Sequence, residues 1–220
     1  MPIGINGYHK STVAAAINWA AEHGADVISM SFGGDARNKD FFKGPTMDAA
    51  IKNAYVEKKV VICAATMNQN EPSLYYPAFH SDVLACGASG YMRDTRSQGE
   101  WPVSIGPGSN FGTGLDVVAP GTRISTTAPM SRSSGPPYAT SINGTSAATP
   151  QVAGLAALLI SAYPDKLRHN PSEVYRIIRQ SARQNAAPDE QVGHGCIDVL
   201  EAFIIAKNDY GQPTWPNIPS

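Results

Sequence analysis

The chain has 220 residues, 42% of them hydrophobic, which is enough to bury one core and favours a single domain. A formal net charge of −1 provides no basic field for nucleic acid, so nucleic-acid partners are excluded. No apolar run approaches the roughly 18 residues needed to cross a bilayer, which leaves no membrane partner, and Met1-Pro2-Ile3-Gly4-Ile5-Asn6 lacks the sections of a signal peptide.

In chain order, residues 11–22 read as a helix capped by Ser11 or Thr12, with Val13, Ile17 and Ala20 near helical spacing and Gly24 after its end. The apolar run 25–30 follows as a buried strand. A second helix, 46–58, carries Met47, Ala50, Ile51 and Ala54 on one face, and a second apolar strand, 60–65, follows it. Apolar strands separated by helices mark a parallel sheet covered on both faces. The middle, 68–137, is rich in Gly, Pro and Ser, with strands at 82–88 and 116–119 and a weaker one at 123–128. Residues 147–162 form a helix apolar almost all round and so expected to be buried. Pro171 opens an amphipathic helix to Ser181, residues 199–206 make a last helix, and 208–220, with three prolines, read as an irregular tail. Cys63, Cys86 and Cys196 are odd in number, widely spaced and in apolar contexts, which points to buried free thiols.

The chemistry concentrates at Gly144-Thr145-Ser146-Ala147-Ala148-Thr149-Pro150, which places an unhindered serine at the mouth of the 147–162 helix. A helix N-terminus presents unpaired N–H groups and partial positive charge, both of which favour the oxyanion formed when a serine attacks a carbonyl. Gly144 permits close approach of substrate, and Pro150 is tolerated in a first helical turn. A Ser/Thr cap on an ordinary buried helix is the bland alternative, but capping requires neither that Gly nor that Pro.

This segment resembles the nucleophile segment of the subtilisin-like serine peptidases, and other stretches resemble the same family in the same order. The stretch 26–34 is similar to the family strand whose Ser31-Phe32-Gly33 end lines the specificity pocket. The stretch 60–70 is similar to the strand and loop carrying the oxyanion asparagine, which makes Asn68 that residue. Leu115–Gly121 and Gly193–Leu200 resemble the turn before the nucleophile and the closing segment. The resemblance implies an α/β, three-layer fold with a mainly parallel sheet and its N-terminal part missing. Residues 1–207 would be a partial catalytic domain and 208–220 a tail. It further implies Ser146 as nucleophile, Asn68 as oxyanion donor, and a peptide substrate lying against Ser31, Phe32, Gly33, Ala65, Thr66, Met67, Gly144 and Thr145. Met67 departs from the family, which usually has Gly there.

The family's Asp and His motifs precede the strand matched by 26–34, and the 25 residues before Asp26 contain neither. His9, His23, His80, His169 and His194 all stand in contexts unlike the family base. The resemblance therefore implies that a missing segment or a second chain supplies Asp and His. A degenerate peptidase that binds peptides, and an esterase that needs no triad, are the alternatives. The Tyr75-Tyr76-Pro77-Ala78 loop resembles one whose carbonyls hold calcium or sodium and whose proline bond is cis. The mixed segment 35–43 reads as either a shaper of substrate choice or a solvated loop. The sequon at Asn143 is discounted, since a glycan there would block the site. Secretion is suggested by the resemblance alone.

Overall fold

The computed structural model describes residues 3–4, 9–34, 37–90, 107–127, 138–183 and 187–215. Four parallel strands, β1 (Val27–Met30), β2 (Val61–Ala65), β3 (Leu84–Ser89) and β4 (Val117–Pro120), lie side by side in chain order. The register pairs Val27 with Val61, Cys63 with Leu84 and Cys86 with Val117. Beyond β4 the closing segment adds a single parallel bridge, in which the Val118 N–H donates to Gly195 O (2.9 Å) and the Ile197 N–H to Val118 O (3.0 Å). A two-stranded antiparallel ribbon joins β5 (Ile124–Thr127) to β6 (Tyr138–Ile142). The sequence pattern anticipates β5, up to Ala128 outside the described residues, and misses β6.

Helices cover both sheet faces, which is why β2 and β3 are buried along their whole length. On one face Val61, Cys63, Leu84, Cys86 and Val117 meet α3 (Thr145–Ala162), α5 (Pro171–Ser181) and α6 (Val199–Tyr210). On the other Ile62, Ala64, Ala85 and Val118 meet α1 (Lys10–Glu22) and α2 (Pro45–Lys52). The alternation along β2 is the period of two that sends successive side chains to opposite faces. The three-layer arrangement with a parallel sheet is the one expected.

Several boundaries differ from those the sequence suggests. Helix α1 starts at Lys10 because the Val13 N–H already donates to His9 O (3.0 Å), so His9 is its N-cap and neither Ser11 nor Thr12 caps it. Helix α2 ends at Lys52 and continues as a π-helical turn, Asn53–Glu57, that carries the buried Ala54 toward β2. A short helix, α4 (Pro164–Leu167), is an addition. Helix α6 reaches Tyr210 instead of ending near 206, because Arg176 of α5 pairs with Asp209 and the Tyr210 hydroxyl donates to Glu173. Asp198 caps its start by accepting from the Glu201 N–H (3.1 Å). The tail therefore begins after the helix, at Gly211, and is tied down where the Thr214 N–H donates to Ala162 O (2.8 Å).

Two expectations about burial also need correction. Strand β1 is not fully buried: Val27 and Ile28 are half-buried and Ser29 is exposed, since β1 is the sheet edge and, among the described residues, pairs only with β2. Helix α3 is exposed along Gly154, Ala157 and Leu158, which share one face at i, i+3 and i+4. That helix also reaches 18 residues with a mean hydropathy of 1.2, enough by length and composition to cross a membrane. Its apolar character has a different use here, since its buried side packs across all four strands.

At the end of the sheet where the strands begin, Asp116 accepts from the Ala85 N–H (2.7 Å) and from Arg179 Nε (2.8 Å), bracing α5 against β3 and β4. Burial pushes the Asp116 carboxyl up despite the guanidinium beside it. Cys63, Cys86 and Cys196 are buried and form no disulfide, as expected.

Candidate active site

Parallel strands release their chains at one edge, and the space outside their carboxyl ends is where such sheets bind ligands. Ser31 and Gly33 continue β1 there, and Thr66, Met67 and Asn68 continue β2. The turn Asn143–Gly144 reaches the same edge because the Gly144 N–H donates to Gly121 O (2.8 Å), just after β4. A Cβ on Gly121 would stand 2.4 Å from the Ala88 Cβ, so only glycine allows that approach. Gly144 itself has φ of 120°, a conformation that side chains rarely adopt.

Helix α3 begins at Thr145, two residues earlier than its sequence pattern suggests, so Pro150 lies inside it rather than in its first turn. A proline removes the hydrogen bond that its N–H would make to the carbonyl four residues back, here that of Ser146. Ser31 satisfies that carbonyl: its hydroxyl donates to Ser146 O (3.0 Å). Ser146 reciprocates, its exposed hydroxyl donating to Ser31 O (3.1 Å). The pair clamps the end of β1 to the first turn of α3.

Glycine at the N-cap offers no side chain, and the cap comes from across the sheet edge. Asn68 Oδ1 accepts from both the Thr145 N–H (3.0 Å) and the Thr145 hydroxyl (2.9 Å). A backbone N–H only donates, which identifies that amide atom as the oxygen and turns Nδ2 the other way. Among the described residues no group accepts from Asn68 Nδ2 or from the Ser146 N–H. The site thus offers two unengaged N–H donors beside one exposed hydroxyl. Asn68 is joined to Thr145, the residue before Ser146.

The loop carrying Asn68 is shaped by a residue that sequence reasoning misses. Asn110 is fully buried; its Oδ1 accepts from the Gln69 N–H (2.7 Å), its Nδ2 donates to Ser73 O (3.1 Å) and its N–H donates to Met67 O (2.9 Å). Its carbonyl accepts from the Thr66 hydroxyl (3.2 Å). The only signal is an amide residue between Gly108 and Gly112 in a Gly-rich stretch. Met67 adopts φ of 79°, and its side chain lies over Gly33, where an added Cβ would stand 3.0 Å from its Cγ and Sδ. Phe32 is half-buried against Phe42, with ring centroids 5.3 Å apart. Ala65, Thr66, Gly144 and Thr145 are buried.

No histidine hydrogen-bonds Ser146 among the described residues. His9 caps α1; the His23 ring sits on Trp19 with Nδ1 2.8 Å from the Trp19 carbonyl; His80 Nδ1 accepts from the Asp82 N–H (3.1 Å). His169 is exposed at φ of 63°. His194 donates its N–H to Asp116 O (2.7 Å) at the opposite edge of the sheet, where burial lowers its pKa.

The Tyr76–Pro77 bond is cis. The carbonyls of Tyr75, Tyr76 and Pro77 accept from the N–H groups of Ala78 (2.8 Å), Gly34 (3.1 Å) and His80 (3.0 Å). Among the described residues no group of three or more His, Cys, Asp or Glu could hold a metal. Asp35 and Ala36 lie outside the described residues; the rest of that segment packs on the same loop, with the Tyr76 N–H donating to Lys39 O (3.1 Å) and Phe42 buried. Asn143 has both side-chain ends engaged, accepting from the Arg123 N–H and donating to Ser141 O (2.8 Å each).

A Subtilase family model matches residues 4–195. The chain belongs to that family. It is 35% identical over 157 residues to subtilisin DY of Bacillus licheniformis, covering 70% of this chain and 49% of the relative. It is 34% identical over 193 residues to a thermophilic serine proteinase of Bacillus sp. (strain AK1), covering 87% of this chain and 41% of the relative. The chain spans about a third to a half of the length of the curated relatives it matches. Among solved structures, the self-cleaved protease domain of PatA superposes with a TM-score of 0.71 at 27% identity, covering 91% of this chain and 69% of that one. A lanthipeptide protease has the same fold, with a TM-score of 0.75 at 23% identity over 90% of this chain and 68% of that one.

Proposed function

We propose that this chain is the nucleophile-bearing part of a subtilisin-like serine hydrolase, in which Ser146 attacks the acyl carbon of a peptide or ester while Asn68 Nδ2 and the Ser146 N–H receive the oxyanion. One observation carries the reading: an exposed serine hydroxyl stands at a helix N-terminus whose first N–H is taken by Asn68, leaving two N–H donors unengaged beside it. Donors fixed in advance stabilise the developing charge without reorganising during reaction. The segments after β1 and β2 would pair with an extended peptide. A nucleophile that donates to a backbone carbonyl has no proton acceptor, so Asp and His come from another segment or chain in this reading.

The same hydrogen bond favours a second reading, a peptide-binding module without turnover. Activated esters separate the two, because a good leaving group asks less of the base. We expect p-nitrophenyl acetate to acylate Ser146 slowly and Ser146→Ala to abolish the adduct by mass spectrometry. Absence of any Ser146 adduct would leave the binding module.

The place for the missing segment is the open edge of β1. A groove of about 730 Å³ runs along Val27–Met30, walled by Val13, Ile17 and Ala20 of α1 and Ala157 of α3. An unpaired strand edge recruits another strand. A strand added in parallel would finish beside Ser31, and so beside Ser146. Without such a segment the chain is expected to self-associate through this edge, and multi-angle light scattering is the check. A clean monomer with a sharp melt would count against the docking site.

A further inference from the structure

We infer that Met67 closes the acyl-side pocket, restricting this site to peptides with Gly, Ala or Ser immediately before the bond attacked. The inference rests on Ser146 as nucleophile. With the acyl carbon at Ser146 Oγ and its oxygen toward Asn68 Nδ2, the adjoining side chain points between the segments that leave β1 and β2. These start side by side, with Met30 paired to Ala64 as the last pair of the register. Among the described residues, Gly33 and Met67 face each other across the ends of these two strands.

Met67 stands across those strand ends. It holds a left-handed backbone at φ of 79°, a conformation that favours glycine, because the Asn110 N–H donates to Met67 O (2.9 Å) and the Asn70 N–H to Gly108 O (3.0 Å). The backbone fixes the Cα–Cβ direction, and from there the Met67 side chain lies over Gly33. A Cβ at Gly33 would stand 3.0 Å from Met67 Cγ and Sδ and 3.2 Å from Tyr76 O, so the thioether already fills the contact distance to the opposite strand end. The Tyr76 carbonyl is held in turn by the Gly34 N–H (3.1 Å), which closes the far wall. A methyl or hydroxymethyl group fits beside such a wall; a benzyl group does not.

The test uses peptide boronic acids, which form a tetrahedral adduct on a serine hydroxyl, with either an alanine-like or a phenylalanine-like side chain at the boron-bearing carbon. Affinity is read by 11B NMR titration against the full chain. The native chain is expected to favour the alanine-like probe by about tenfold or more, the discrimination a tight apolar pocket delivers. Met67→Gly, whose backbone suits the left-handed conformation, is expected to erase or reverse that preference by strengthening the phenylalanine-like probe while leaving the alanine-like probe within a few-fold. Met67→Ala is expected to fall between, and a thermal melt of each variant shows that it is folded. Ser146-dependent adducts with equal affinity for both probes, unchanged in Met67→Gly, would overturn the pocket assignment and leave the hydrolase reading standing. Failure of both probes to form a Ser146-dependent adduct in all three proteins would overturn the hydrolase reading, and the pocket with it.

Discussion

The pure chain is expected to hydrolyse casein or a peptide p-nitroanilide about 10⁴ to 10⁶ times more slowly than the same chain completed by a segment that carries an Asp and a His. That scale belongs to subtilisin, a relative, on loss of its own triad members, and is transferred from that enzyme to this chain. The physical reason lies in the hydrogen bonding of the proposed nucleophile: the Ser146 hydroxyl donates to the Ser31 carbonyl, an acceptor that cannot take its proton. What remains is the residual of about 10³ to 10⁴ over water that oxyanion donors and binding alone provide. The decisive measurement assays the pure chain beside a longer polypeptide in which such an Asp- and His-bearing segment is fused before Met1. Turnover by the pure chain within tenfold of an ordinary serine peptidase, abolished by Ser146→Ala, would overturn the assignment of the base to another segment. Alanine substitution of the five histidines would then locate it.

The second large effect is at Asn68, where one amide has two separable duties. Its oxygen caps α3 through the Thr145 N–H and hydroxyl, and its nitrogen is the unengaged donor. Asn68→Ala removes both. Because Thr145 is fully buried, its N–H would be left unsatisfied at a cost of about 1–3 kcal/mol, seen as a lowered melting temperature. Asn68→Asp keeps an acceptor at the helix N-terminus, where negative charge is favourable, and removes the donor. Stability is then expected to hold while turnover of the completed enzyme falls by about 10² to 10³, a scale again drawn from subtilisin. If Asn68→Asp left turnover within a few-fold of the native residue, the oxyanion role would belong elsewhere.

Much of this architecture is legible in the chain because it follows from local rules. The apolar run at 60–65, without polar alternation, requires a sheet covered on both faces, and β2 and β3 are buried along their whole length. The Gly144–Pro150 run locates the exposed serine at a helix mouth. The errors fall where a distant residue decides a local outcome. Helix α6 outlasts its pattern because Glu173 and Arg176 of another helix hold Tyr210 and Asp209. Strand β6 escapes notice because its residues gain a partner only in β5. The edge of β1 and the Gly154–Leu158 face of α3 are exposed because nothing among the described residues packs on them, and an apolar pattern records a tendency to be covered without recording by what.

The site divides along the same line. Sequence by itself named the candidates: Ser146 two positions after a glycine, Asn68 after a buried strand, and histidines in contexts unlike a family base. Only the tertiary structure decided how they are held. Pro150 frees the Ser146 carbonyl, but the Ser31 hydroxyl that satisfies it comes from 115 positions away. Gly144 leaves α3 uncapped, and Asn68 supplies the cap across the sheet edge. Asn110, buried and bonded to Thr66, Met67, Gln69 and Ser73, sets the position of Asn68 and the left-handed turn of Met67. Such contacts depend on where strands end in space, a consequence of sheet register and core packing that no stretch of chain carries within itself.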